Sequence, residues 1–120
     1  MAELLVREVL TKRDLRKFIY LPAEIHKNDP EWLPPIYMDE WELFDSKRNR
    51  AFNYSDTALW LAFRGKKPVG RIMGIINRRY NEIHGENHGR FSFMECFEDQ
   101  EVFHALISTA EKWAREKGME

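Results

Sequence analysis

The sequence has a single cysteine, Cys96, which excludes an internal disulfide and fits a reducing cytosol. No apolar run approaches the ~18 residues of a membrane span, and the N-terminus has no apolar core of signal-peptide length. A cytoplasmic protein with no membrane partner is therefore expected. Charge of one sign is lacking too: 19 basic against 20 acidic residues leave a formal net charge of -1. That balance gives no general attraction to nucleic acid, and no nucleic-acid partner is expected. Internal repeats and low-complexity tracts are absent. So is glycine at the junction Glu98-Asp99-Gln100-Glu101, where a strand runs into a helix and a phosphate-binding turn would need it.

What is present suits one domain over residues 1–120, large enough to bury roughly two thirds of its unfolded surface. Hydrophobic residues make up 43% and aromatics 13%, enough for a core, while 32% charged residues supply a solvated exterior. Residues 4–10 alternate loosely and read as a first strand. Thr11 then suits an N-cap, with Asp14 as a weak capping-box partner, and Leu15, Phe18 and Ile19 share one helical face. Pro22 ends this helix near Tyr20 or opens a second short piece over residues 23–27. The prolines of residues 28–35 mark a loop, and residues 38–49 return to helical spacing.

Residues 57–63, an apolar run of strand formers, and residues 68–77 form a β-hairpin about the basic turn Arg64-Gly65-Lys66-Lys67. Residues 78–89 read as a long polar loop. Residues 89–97 are a fourth strand with Phe91, Phe93, Glu95 and Phe97 on one face. The last helix spans residues 100–117. Its stripe is Val102, Phe103, Leu106, Ile107, Ala110, Trp113 and Ala114, Glu111 pairs with Arg115, and Gly118 stops it. The order is β-α-α-β-β-β-α: a mixed α+β fold with an antiparallel sheet and packed helices.

The hairpin LWLAFRGKKPVGRIMGII, the helix ALISTAEKWAREKG and this element order together resemble the N-terminal half of GNAT-type N-acetyltransferases. The resemblance implies a GNAT-like acyltransferase that moves an acyl group from acetyl-CoA or another acyl-CoA to an amine acceptor without a metal. It implies a cofactor contact through the backbone of Cys96, Phe97 and Glu98 and the first helical turn, Glu101, Val102 and Phe103. It also implies a general base on the fourth strand, where Glu95 stands. The family motif, Arg/Gln-x-x-Gly-x-Gly/Ala, is not kept. Glu98 takes the Arg/Gln position, and Glu101 and Phe103 take the two glycines. Side chains there obstruct a pyrophosphate, and each carboxylate adds repulsion on the order of 1 kcal/mol. The family fold continues into a fifth strand where this sequence reads Met119-Glu120, so the chain is expected to be the N-terminal part of a longer protein.

Each candidate has a plainer reading beside it. Glu95 among phenylalanines would be desolvated as a general base requires, or would simply pair with Arg71 or Arg90 across the sheet. Glu98, Asp99 and Glu101 satisfy a helix N-terminus as readily as they mark a site. His84 and His88 have zinc-like spacing but flanking glycines and no third ligand, so no metal is expected. Arg78, Arg79 and Tyr80, with Lys66 and Lys67, form a modest basic cluster or a solvated surface. Cys96 points away from Glu95 and suits a small buried hydrophobe. Trp32, Tyr37 and Trp41 form an acceptor wall or part of the core. The competing function is a catalytically inactive binding or assembly module. A homodimer through the free edge of the fourth strand and the last helix is expected in either case.

Overall fold

Four strands pair antiparallel in the order in which they occur: β1 (Leu4–Glu8), β2 (Ser55–Arg64), β3 (Lys67–Asn77) and β4 (Arg90–Cys96). The computed structural model describes residues 3–119. Four α-helices complete an α+β fold: α1 (Lys12–Ile25), α2 (Tyr37–Leu43), α3 (Arg78–His84) and α4 (Gln100–Glu116), with a 3-10 turn at Arg50–Asn53. The element order expected from the sequence is present, with α3 and the 3-10 turn added to it. Glu120, where a further strand is expected to open, lies outside the described residues.

The period-2 geometry of β2 explains why both faces of the sheet are covered. Ala58, Trp60 and Ala62 turn towards α4 and pack with Ile72, Val102, Leu106 and Ala110. Leu61 and Phe63 turn the other way, towards Phe18, Ile19 and Leu21 of α1, Phe44 after α2, and Met73. A strand buried on both faces reads as a continuous apolar run, and residues 57–63 do. Two glycines of β3 let α4 lie close. A Cβ on Gly70 would stand 2.7 Å from Leu106 Cδ1, and one on Gly74 would stand 2.7 Å from Trp113 Cζ3.

Several expectations are corrected. Pro22 neither ends α1 nor starts a new helix. The helix continues to Ile25, and Phe18 O, which would otherwise accept from the amide of residue 22, accepts from Arg71 Nη1 at 2.7 Å. Thr11 is the N-cap, accepting from the Asp14 amide, but the Asp14 carboxylate is held by Arg7 Nε at 3.0 Å and Nη2 at 2.9 Å. The second helix stops at Leu43, not residue 49. Asp45 accepts from the Lys47 amide, and Asn49 donates to Leu43 O while accepting from the Ala51 amide, so side chains compete with the helical ladder.

The long polar loop contains α3. Asn77 caps it by accepting from the Tyr80 amide, and Gly85, at φ 63°, ends it in the left-handed conformation. Phe103 is exposed rather than part of the α4 stripe, where Val102, Leu106 and Ala110 are buried. The basic cluster is dispersed. Lys67 opens β3 and Arg78 comes after its far end, roughly 35 Å away at ~3.3 Å per residue.

Candidate functional site

A bulge in β4 borders the site. Arg71 pairs with Glu95 and Met73 pairs with Ser92, so two steps along β3 are matched by three along β4. The extra residue is absorbed at Phe93, whose φ of 54° makes it the sole non-glycine residue with positive φ among those described. A one-residue insertion reverses which side chains share a face. Phe91, opposite Gly74, therefore lies with Ala110 and Ala114 on the α4 side. Phe93 and Glu95 face α1 and α2, and the four-residue face expected from the sequence is divided.

Glu95 is the centre of a charged cluster on that face. Its Oε1 lies 2.9 Å from His26 Nε2, and its Oε2 lies 3.4 Å from Arg71 Nη2. The Arg71 side chain is 5% exposed, against 29% for Glu95 and 32% for His26, so a buried cation anchors a solvent-reachable acid and imidazole. Burial pushes the Arg71 guanidinium down from its ordinary value, opposed by the charges of Glu95 and Glu40. The guanidinium also lies 4.8 Å from the Phe18 ring centroid and 5.8 Å from that of Phe93. Its Nε has no partner among the described residues.

The end of α1 delivers the other half of the cluster. His26 is the C-cap, its amide donating to Pro22 O, and its ring is stacked on Trp32 with centroids 5.6 Å apart. A neutral His26 that donates Nε2–H to the carboxylate keeps the lone pair of Nδ1 as a proton acceptor. The plain pairing of Glu95 with Arg71 is thus present, and His26 and Trp32 stand beside it. Tyr37 and Trp41 pack instead on Tyr20: the Tyr37 ring lies 4.4 Å away, and Trp41 Nε1 donates to its hydroxyl at 3.2 Å. His26 was missed in the sequence because it is 69 residues from Glu95, and no local spacing links them.

The start of α4 is differently arranged. Asp99 is the N-cap, and its Oδ1 accepts from the amides of Glu101 and Val102 at 3.1 and 3.3 Å. Arg64 donates to Asp99 Oδ2 from Nε and Nη2, and to Glu101 Oε1 at 3.2 Å. The Arg64 guanidinium holds Asp99 below the usual carboxylate range. Of the other residues expected to hold a cofactor, Val102 is fully buried, Phe103 and Glu98 are exposed, and Phe97 lies under Lys67 with its amide donating to Val69 O. Cys96 packs in the α4 core cluster, and burial pushes its thiol up. Amides already satisfied by Asp99, beside two further carboxylates, do not fit a pyrophosphate.

His84 and His88 are engaged apart from each other. His84 stacks on Tyr80, and His88 lies 3.8 Å from Glu86. Among the described residues no group of three or more histidines, cysteines or acids could hold a metal ion, and no helix is long and apolar enough to cross a membrane.

Neither a family model nor a solved structure matches the chain. Among curated proteins it is 35% identical over 118 residues to one named Bacterial ceramide synthase from Caulobacter vibrioides, and 33% identical over 114 residues to Protein YghO of Escherichia coli. The alignments cover 98% and 95% of this chain but 31% and 29% of those proteins, so the chain spans about three tenths of the length of the curated relatives it matches.

Proposed function

We propose that the chain is the acceptor-binding part of a GNAT-like N-acyltransferase, in which the Glu95–His26 pair removes a proton from an amine. The observation that carries this reading is the cluster itself: a buried arginine fixes a carboxylate, which in turn orients a solvent-reachable imidazole. A ceramide is an amide, so the name of the Caulobacter relative agrees with acyl transfer to nitrogen. His26 Nδ1 accepts the amine proton, Glu95 stabilises the imidazolium through Nε2–H, and Arg71 holds Glu95 in place. Trp32 holds the imidazole plane. The start of α4 does not suit the diphosphate of an acyl-CoA, so no step is assigned to it.

The test is calorimetric titration of acetyl-CoA and a long-chain acyl-CoA into the polypeptide that the reading frame encodes, followed by transfer assays on amines. Saturable micromolar binding, with transfer lost in Glu95→Gln and His26→Gln while donor binding persists, is the expected result. Absence of binding at millimolar donor overturns it.

One observation favours a second reading, a binding or assembly module. Asp99 fills the anion position at α4 with a group of the chain's own. In that reading the β4 edge joins two copies, with Phe91 exposed beside α4. Sedimentation at high concentration tests the assembly: a concentration-dependent dimer dissociated by Phe91→Glu supports it, and a sharp monomer sinks it.

A further inference from the structure

On the same face of the sheet as Glu95, the fold leaves a pocket of about 180 Å³ between the end of α2, the 3-10 turn and strands β2 to β4. Leu43, Phe44, Phe52, Met73, Ile75 and Phe93 form its apolar walls. Asn49, also at the pocket, is already engaged, donating to Leu43 O and accepting from the Ala51 amide. Water is weakly held against so little polar lining: an engineered, sealed apolar cavity of about 150 Å³ stays dry and binds benzene.

The walls are braced, so the space is not readily lost to collapse. Phe44 stands edge-on to Phe18 at 5.3 Å and to Phe93 at 5.1 Å, and the Asn49 bonds fix the turn. Phe93 is held in the left-handed region by the bulge, a conformation that a bulky residue keeps only where its surroundings impose it. One of its neighbours is the Arg71 guanidinium that anchors Glu95. The same residue therefore forms a wall of the pocket and a flank of the charged cluster.

We infer that this pocket is a binding site for the end of an aliphatic chain. At ~30 Å³ per methylene, a water-sized share, its volume takes about six carbons. An unbranched chain suits it because, apart from Asn49 and the hydroxyl-bearing Ser55 and Thr57, the walls are apolar, while a polar head is left to the solvent-reachable groups nearby. The inference goes beyond the acyl-transfer reading and stands without it, since an uncharged ligand tests the pocket alone.

The experiment is a titration with n-alkanols from butanol to decanol, followed by NMR of the Met73 and Ile75 methyl groups. Affinity is expected to rise about fourfold per methylene and to level off near hexanol. Ile75→Trp, which fills the space from a strand position, is expected to weaken hexanol binding at least tenfold. Should that variant fail to fold, Thr57→Ile narrows the same pocket with a β-branched residue that suits a strand. Methyl shifts that do not saturate, affinity unchanged in the folded variant, or affinity still rising through decanol would each overturn the inference. The n-alkylamines form a second arm. Amines that bind no better than alcohols speak against Glu95 and His26 as an amine site and leave the pocket standing.

Discussion

Replacing Glu95 by leucine removes the carboxylate from a guanidinium that has almost no access to water. The ion pair is 3.4 Å long, with the two side chains 5% and 29% exposed. At that distance the Coulomb attraction is about 1 kcal/mol in bulk water and about 5 kcal/mol at an effective dielectric of 20. Removing one partner of a fully buried pair costs ~3–5 kcal/mol, because the other charge is left desolvated. Glu95 is partly wet, so a loss of about 2–3 kcal/mol is expected. Urea unfolding at neutral pH, followed by tryptophan fluorescence, should show a midpoint lower by roughly 1–2 M at an ordinary slope. The double variant Arg71→Leu/Glu95→Leu distinguishes a pair from two separate contacts. Without the stranded charge it should be clearly more stable than the sum of the single losses implies, with a coupling of at least about 1 kcal/mol. A Glu95→Leu loss below about 0.5 kcal/mol, together with additive effects, would refute the idea that Arg71 depends on Glu95.

Three other parts of the fold lend themselves to perturbation. Gly74→Ala places a methyl 2.7 and 2.8 Å from Trp113 ring atoms and 3.0 Å from Trp60, so overpacking should cost ~1–3 kcal/mol in thermal or urea unfolding; an unchanged midpoint would mean that α4 does not pack this closely on β3. Asp14 and Asp99 are both held below their ordinary value of 3.8, by bonds to Arg7 and Arg64 respectively, so the native state binds fewer protons than the unfolded chain in acid. Their contribution is complete above about pH 4 and is lost as pH falls through the lowered native values, and Asp14→Asn should flatten that limb of the stability profile. Cys96, its thiol pushed up by burial, should react with a disulfide reagent at pH 8 much more slowly in the folded protein than in urea; equal rates would place it at the surface.

Elements with one strong period were legible in the sequence. The hairpin and α4 appear within a residue or two of their expected places, because one has an apolar run of strand formers and a basic turn and the other a stripe at intervals of three and four. The shortened α2 and the added α3 turned on side chains that bond to nearby backbone: Asp45 and Asn49 in one case, Asn77 and Gly85 in the other. Those residues were in plain view, but a count of polar residues does not separate a cap from a loop. The site was half legible. Glu95 was readable, with Arg71 or Arg90 as its partner across the sheet, and the structure gives it Arg71, since the bulge falls on the far side of that pair. His26 was not, because sheet pairing brings it close only through α1.

The two places where local rules fail both lie against Arg71. A proline inside a helix leaves the carbonyl four residues earlier without its amide, and such a buried group needs another donor. Here Pro22 frees Phe18 O, and Arg71 Nη1 supplies the bond. A bulge re-aims the side chains beyond it along the strand, and here the bulge at Phe93 turns Phe91 to the α4 side while Phe93 and Glu95 stay on the face of Arg71 and His26. Either irregularity alone would be a local cost. Without Pro22, Arg71 would meet a carbonyl already bonded within the helix and would lack an anchor for its charge. Without the bulge, residue 95 would still oppose residue 71, but Phe91 would leave the α4 side. Consistency between local preference and global fold is what a sequence normally shows, and breaches concentrate where a site needs them. Two breaches converging on one buried arginine are therefore a stronger pointer to a working site than the carboxylate itself.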